Sequence, residues 1–215
     1  MRKLLIGLSL GATLLLTACG QTEEADSLKS GDSSQNPARA GDPPRPAPRI
    51  GRGARYRLPA SKSLVDSGRA VGSLHCTRAA RERFGVHLEI FANRLDVVIP
   101  AGIGVSPPRI RDGAYVRSGK CSYQLRTVEP TGLIEVDDGT KATLGDFFDL
   151  WEQPLSSGRL LSFRARRDER VSAFVNGSRW KGDVRRIPLE RHAAIVVEIA
   201  GYFPPTRSYV FPEGL

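Results

Sequence analysis

The side chains with reactive chemistry are few: Cys19, Cys76 and Cys121, His75, His87 and His192, and the carboxylates Glu129, Glu135, Asp137 and Asp138. Cys19 ends the segment Leu16-Thr17-Ala18-Cys19, which closes an apolar run led by Met1-Arg2-Lys3. Two basic residues before an h-region from Leu4 to Leu16 are the pattern of an export signal, and the run is shorter than the ~20 residues of a membrane span. Small residues at Thr17 and Ala18 before a cysteine form a lipobox. This predicts cleavage after Ala18, thioether lipidation of Cys19 and acylation of the new terminus. Acyl burial at about 0.8 kcal/mol per CH₂ makes several chains a lasting anchor. The alternative is an ordinary secretory signal in which Cys19 is incidental.

With Cys19 assigned to lipid, two thiols remain outside the cytoplasm, where disulfides persist, so Cys76 and Cys121 are expected to pair. The competing reading is a nucleophile at Cys76 beside His75, although neighbouring residues of a strand point to opposite faces. Nucleophilic catalysis also needs an imidazole in reach of a hydroxyl or thiol, and the one G-x-S-x-G, Gly7-Leu8-Ser9-Leu10-Gly11, falls inside the export signal. His192, just before an apolar strand, reads as structural. Asp137 and Asp138 beside Glu135 have the composition of a hydrolytic carboxylate pair or a calcium site, yet the Asp-Gly turn explains the aspartates without either. Trp151 and Trp180 pattern as core and hairpin surface. No phosphate loop and no CxxC occurs, and no cofactor is expected.

The elements that position these groups follow from the pattern of apolar residues. Residues 20 to about 60 hold almost none, and include Pro43-Pro44-Arg45-Pro46-Ala47-Pro48, which predicts an extended tether, acidic first and then basic. Strand signals begin near Val65. Val86 to Ala92 alternates and turns at Asn93-Arg94 into Leu95 to Ile99, while Ser122–Val128 and Leu133–Val136 flank Pro130-Thr131-Gly132 as a second hairpin. Thr143 with Asp146 three residues on predicts a helix start. Leu144, Phe147, Phe148 and Trp151 make one apolar stripe, and Pro154 stops it. Leu160–Phe163 and Val171–Val175 read as strands, Asn176-Gly177 as a tight hairpin turn, and Ala194–Ile199 as the last strand. Tyr202 to Leu215, with three prolines, is expected to lie across the surface.

Six of the 32 basic residues are lysine, which leaves 26 arginines and a net charge of +9. Such a skew is what a GC-rich genome writes on solvated surfaces, and export argues further against a nucleic-acid partner. An attraction to anionic lipids or cell-wall polymers remains, and it would weaken with salt.

Several segments resemble a family of uncharacterised exported bacterial proteins. They are Gly85–Phe91, Ile99-Pro100-Ala101-Gly102-Ile103-Gly104, Thr143–Phe148, Trp151–Leu155, Val175-Asn176-Gly177, Arg191-His192-Ala193 and Phe211–Leu215. The resemblance spans most of Cys76 to Leu215 and implies a fold and a histidine-rich metal site. The family pattern reads HxHL, IPAGIG, LHTHD, GIIHxE, TLGxFFxxW, VNG and FPxGL. Here Gly85 replaces the first histidine, Leu125–Glu129 replaces LHTHD, and Glu135 replaces the histidine of GIIHxE. This chain therefore resembles a lipoprotein branch of actinobacterial type that lacks most of the histidines. One histidine of five survives, so His87, Glu129 and Glu135 are left as the alternative cation ligands if they converge, with the Arg126 guanidinium repelling a metal. The simpler expectation is an ionic cluster of Arg126 with Glu129 or Glu135 across two strands.

The expected architecture is α+β, a mostly antiparallel sheet of hairpins with one inserted amphipathic helix. It divides into a signal peptide (1–18), a lipidated tether (19–64) and one folded β-rich domain (65–215). The expected function is a non-catalytic binding or structural module, anchored to the outer face of the cell membrane through Cys19. Its partner would be an envelope protein, a polymer or a small ligand. A metal-binding or metal-delivery lipoprotein using His87, Glu129 and Glu135 is the alternative, and an envelope hydrolase with His87 or His192 as base is third.

Overall fold

A computed structural model describes residues 64–199 and 206–215. The signal peptide, Cys19 and the tether up to residue 63 lie outside the described residues. The main sheet has seven strands: β1 (Arg83–Ala92), β2 (Leu95–Asp96), β3 (Leu125–Arg126), β4 (Leu133–Asp137), β5 (Ser172–Val175), β6 (Ser178–Arg179) and β7 (Ala194–Ile199). Their order is β6-β5-β7-β1-β4-β3, with β2 folded back on the end of β1. The helix α1 (Leu144–Leu150) packs on the sheet, and among the described residues a helical turn at Leu64–Ser67 and a 3-10 turn at Val184–Arg186 are the other helical segments. The α+β expectation thus holds at the level of a mostly antiparallel sheet with little helix.

Period-two alternation fixes the two faces of the sheet. On β1, Phe84, Val86, Leu88 and Ile90 point into the core, as do Ile134 and Val136 of β4 and Ile195, Val197 and Ile199 of β7. The predicted helix stripe closes that face. Leu144, Phe147, Phe148 and Trp151 are all fully buried, and the three aromatic rings lie with centroids 5.6–6.2 Å apart. The helix start is the expected capping box. The Asp146 amide donates to the Thr143 hydroxyl (3.3 Å), and the Thr143 amide donates to the Asp146 carboxylate (2.8 Å). Both predicted two-residue turns occur, with positive φ at Asn93 and Arg94 and at Asn176 and Gly177.

One pairing lies outside the hairpin pattern, and one expectation needs correction. The central pair β1–β7 runs parallel, His87 opposite Ala194 through Ala92 opposite Ile199, whereas hairpins alone would give only antiparallel neighbours. Leu160–Phe163 is not one strand. Leu161 takes a positive φ of 56°, and the segment folds into a three-strand meander of Leu155–Ser156, Arg159–Leu160 and Phe163–Arg164.

The second face of the sheet carries the residues between the core positions: Arg83, Gly85, His87 and Glu89 on β1, and Leu133, Glu135 and Asp137 on β4. The C-terminal segment crosses part of it. Thr206 donates to Glu89 (2.6 Å), Tyr209 stacks on His87, and Phe211 lies over Gly85. A Cβ at position 85 would sit 2.6 Å from the Phe211 ring, so a side chain there would displace the strap.

Candidate binding site

Cys76 and Cys121 form the expected disulfide. It joins the segment leading into β1 to the segment before β3, and a pair of main-chain bonds locks the same junction. The Thr77 amide donates to the Ser122 carbonyl and the Ser122 amide to the Thr77 carbonyl, each at 2.9 Å. Lys120 and Ser106 are tied likewise, the Lys120 amide donating to the Ser106 carbonyl (2.9 Å) and the Ser106 amide to the Cys121 carbonyl (3.0 Å). Gly119 permits this approach, since a Cβ there would collide with the Ser106 carbonyl and Val105. Paired to Cys121, the Cys76 sulfur is no thiolate, so the reading of a His75-activated nucleophile does not apply.

These fixed segments wall a cavity of about 610 Å³. Five of its lining residues are cationic: Arg78, Arg81, Arg83, Lys120 and Arg126. Thr77, Ser118 and Ser122 add hydroxyls, and no carboxylate or imidazole lines it. Arg78 is braced across the junction by its Nε, which donates to the Lys120 carbonyl (3.0 Å). Among the described residues the Lys120 ammonium has no ion pair.

Behind the lining, β1, β3 and β4 place two carboxylates against the arginines. Register sets this arrangement: Arg83 is opposite Asp137, and Arg126 is opposite Glu135. Arg126 donates from Nε to Glu135 Oε2 (2.7 Å), and its Nη2 lies 2.6 Å from the same oxygen as an ion pair. This realises the expected ionic cluster with Glu135. Glu129 takes no part, accepting instead from the Thr131 hydroxyl (2.8 Å). Arg83 Nη2 lies 2.7 Å from Asp137 Oδ1, and Arg83 Nε lies 4.0 Å from Glu135. The Asp137 side chain is 1% exposed and that of Arg83 9%, so this is a buried pair. It is an ion pair by distance only, because neither Asp137 oxygen meets a donor at hydrogen-bond angles.

The electrostatic consequence is a site with surplus positive charge. Burial, and then the nearby Arg126 charge, lower the Arg83 pKa, against the pull of Asp137 and Glu135. Burial likewise raises Asp137, opposed by Arg83, Arg81 and Arg126. Arg83 Nη1 is buried with no hydrogen-bond partner among the described residues. A buried donor left unsatisfied costs about 1–3 kcal/mol, and more on a charged group.

The structure does not bring His87, Glu129 and Glu135 together. His87 Nε2 faces the Thr131 carbonyl at 3.2 Å, which assigns the proton to that nitrogen. The ring lies flat against Tyr209, with centroids 3.8 Å apart, and burial lowers its pKa to about 4. Glu135 is committed to Arg126, and among the described residues no three His, Cys, Asp or Glu side chains are grouped to hold a metal ion. His192 is structural in its contacts, its Nε2 lying 2.7 Å from the Leu215 main-chain oxygen and its ring stacking on Phe211. His75 is exposed.

Sequence reasoning missed Arg78, Arg81, Arg83 and Lys120, and reduced Asp137 to a turn residue. One signal was present. Once Cys76 and Cys121 are paired, Thr77-Arg78 and Gly119-Lys120, which flank them, must converge. No family model matches the chain, and neither the curated proteins nor the solved structures contain a match, so the family resemblance rests on its quoted motifs alone.

Proposed function

We propose that this chain is a lipid-anchored extracytoplasmic lipoprotein whose folded part is a binding module, held at the outer face of the cell membrane through Cys19. The cationic cavity carries this reading: its lining offers charge and hydroxyls on walls fixed by a disulfide, which is the equipment of recognition. Sites of this size, 300–1,000 Å³, accommodate small organic ligands or a segment of a polymer. The lipobox supplies the address, and the Pro- and Arg-rich tether supplies reach from the membrane.

The test uses the full chain and its Cys19→Ser variant in cells, then the soluble variant on isolated envelopes. The expected result is that the wild type fractionates with membranes and takes up labelled fatty acid, that Cys19→Ser does neither, and that purified Cys19→Ser binds envelopes saturably without altering them. A Cys19→Ser protein that stays membrane-bound and processed removes the anchor. Time-dependent consumption of envelope material removes the binding module in favour of an enzyme.

A further inference from the structure

We propose that the cavity between the Cys76–Cys121 junction and β1 recognises a phosphoryl-bearing ligand with at least two negative charges. This deepens the binding-module reading and rests on it.

Three observations define the ligand chemistry. The first is charge. Five cationic side chains line the cavity, and the carboxylates in contact with them are Glu135 and Asp137, so three positive charges are left over. An acceptor with one charge would leave most of that surplus unmatched, whereas one phosphoryl group supplies up to two charges and three oxygen acceptors on a single centre. The second is donor geometry. Four of the five cations are arginines, whose planar forks match phosphate oxygens two at a time, and Lys120 adds a mobile point charge on the wall opposite in sequence. Arg83, nine-tenths buried, lines the cavity and keeps an Nη1 without an acceptor among the described residues, donor capacity that Asp137 and Glu135 leave unused. The third is size. A cavity of about 610 Å³ is several times the volume of one phosphate ion, which fits two phosphoryl groups or one carried on a sugar or glycerol unit.

The same chemistry has two sources outside the cytoplasm, a soluble phosphorylated metabolite and a phosphodiester-linked envelope polymer. The walls are preorganised for either, because the disulfide, the Thr77–Ser122 bond pair and the Gly119 contact fix both sides before any ligand arrives. Preorganisation lowers the ordering cost of binding.

The test is calorimetry on the mature chain with Cys19→Ser, using inorganic pyrophosphate, glycerol 3-phosphate, poly(glycerol phosphate) and citrate as probes. The expected result is saturable binding of pyrophosphate or poly(glycerol phosphate), at least about tenfold tighter than citrate, and weakening as salt rises. Tighter binding of the polymer than of glycerol 3-phosphate identifies the envelope source, and the reverse identifies the metabolite. Arg83→Gln is expected to abolish binding. Because that variant strands Asp137 and risks misfolding, Lys120→Glu and Arg81→Glu are measured beside it. Lys120 is exposed and has no ion pair among the described residues, so Lys120→Glu should melt as the wild type does, whereas Arg81→Glu brings a second carboxylate toward Asp137 and should melt somewhat lower; each should lose at least about tenfold in affinity. Citrate binding as tightly as the phosphates, or either charge reversal leaving phosphate affinity unchanged, overturns the phosphoryl assignment. If no probe binds while envelopes still do, the ligand assignment fails and the binding module stands. If neither binds, both fail.

Discussion

Replacing Cys76 and Cys121 together by serine should destabilise the folded part by about 4 kcal/mol. The bridge joins cysteines 45 residues apart, and constraint of the unfolded chain grows with the logarithm of that loop, reaching about 4 kcal/mol at this length. Against a typical total of about 5–15 kcal/mol this is a large fraction, and for a domain of this size it corresponds to a fall in Tm of roughly 8–16 °C. Equilibrium urea unfolding of the protein, oxidised, reduced, and as the double variant, measures it, and the reduced and doubly substituted forms should agree. Hydrogen exchange at the Thr77 and Ser122 amides adds a local readout. Those bonds hold the cavity wall and should lose protection, while the Phe147 and Trp151 amides in and after α1, which donate to the carbonyls of Thr143 and Phe147, should keep theirs. A loss under about 1 kcal/mol in both forms would refute the unfolded-chain argument. Unchanged protection at Thr77 and Ser122 would refute the claim that the disulfide fixes the wall.

Three further outcomes follow from other contacts. His87 is buried and its folded pKa lies near 4, below the unfolded value of 6.5, so protons bind the unfolded chain more tightly. Its contribution is complete above pH 6.5 and is lost as pH falls toward 4, in total roughly 3 kcal/mol. His87→Phe keeps a ring against Tyr209 and should flatten that part of the stability curve; equal slopes in urea unfolding at pH 6.5 and 4 would remove the argument. Gly85→Ala places a Cβ 2.6 Å from the Phe211 ring and 3.1 Å from Leu133, so it should cost about 1–3 kcal/mol and speed proteolysis of the C-terminal segment. An unchanged cleavage rate would mean that the strap does not depend on this contact. Thr143→Ala removes one half of the capping box and should cost about 1 kcal/mol of thermal stability, while Thr143→Ser should cost less.

What was legible in the sequence was local. The stripe Leu144, Phe147, Phe148 and Trp151 and the cap at Thr143 are set by residues within two helical turns of one another, and they stand as read. The Asn93-Arg94 and Asn176-Gly177 turns are likewise decided by backbone conformations that only a few residue types adopt readily. Alternation on β1 gave its buried face. Alternation says nothing about which strand lies alongside, so the parallel β1–β7 pairing, joining positions about a hundred residues apart, was invisible. Leu160–Phe163 failed because an apolar run carries no mark of a positive φ at Leu161. Asp137 failed for a different reason: its Asp-Gly neighbourhood explains the turn fully, and the buried partner Arg83 is set by register, not by proximity in sequence.

The arginine skew hid the candidate site, and the structure gives a criterion that separates its arginines from the rest. A solvated arginine costs nothing to maintain and needs no partner. Arg111 and Arg117, on an exposed hairpin, fit that description; the pair of Arg117 with Asp112 is more than half exposed and contributes little. Arg83 and Arg126 do not. Each is drawn against the sheet between β4 carboxylates, where desolvation is expensive and replacement of the whole cluster by apolar residues would often be neutral or stabilising. Were the cluster only structural, two arginines facing two acids would balance it. Instead Arg78, Arg81 and Lys120 add charge from the other segments of the same cavity, and one Arg83 donor stays unsatisfied. Arg78, Arg81 and Lys120 are exposed, so water and salt screen them in the unliganded chain, and an anion seated among them on walls fixed by a disulfide takes over that role. On the proposed binding reading, the sensitivity of binding lies at Arg83 and Lys120 rather than in the overall net charge of +9.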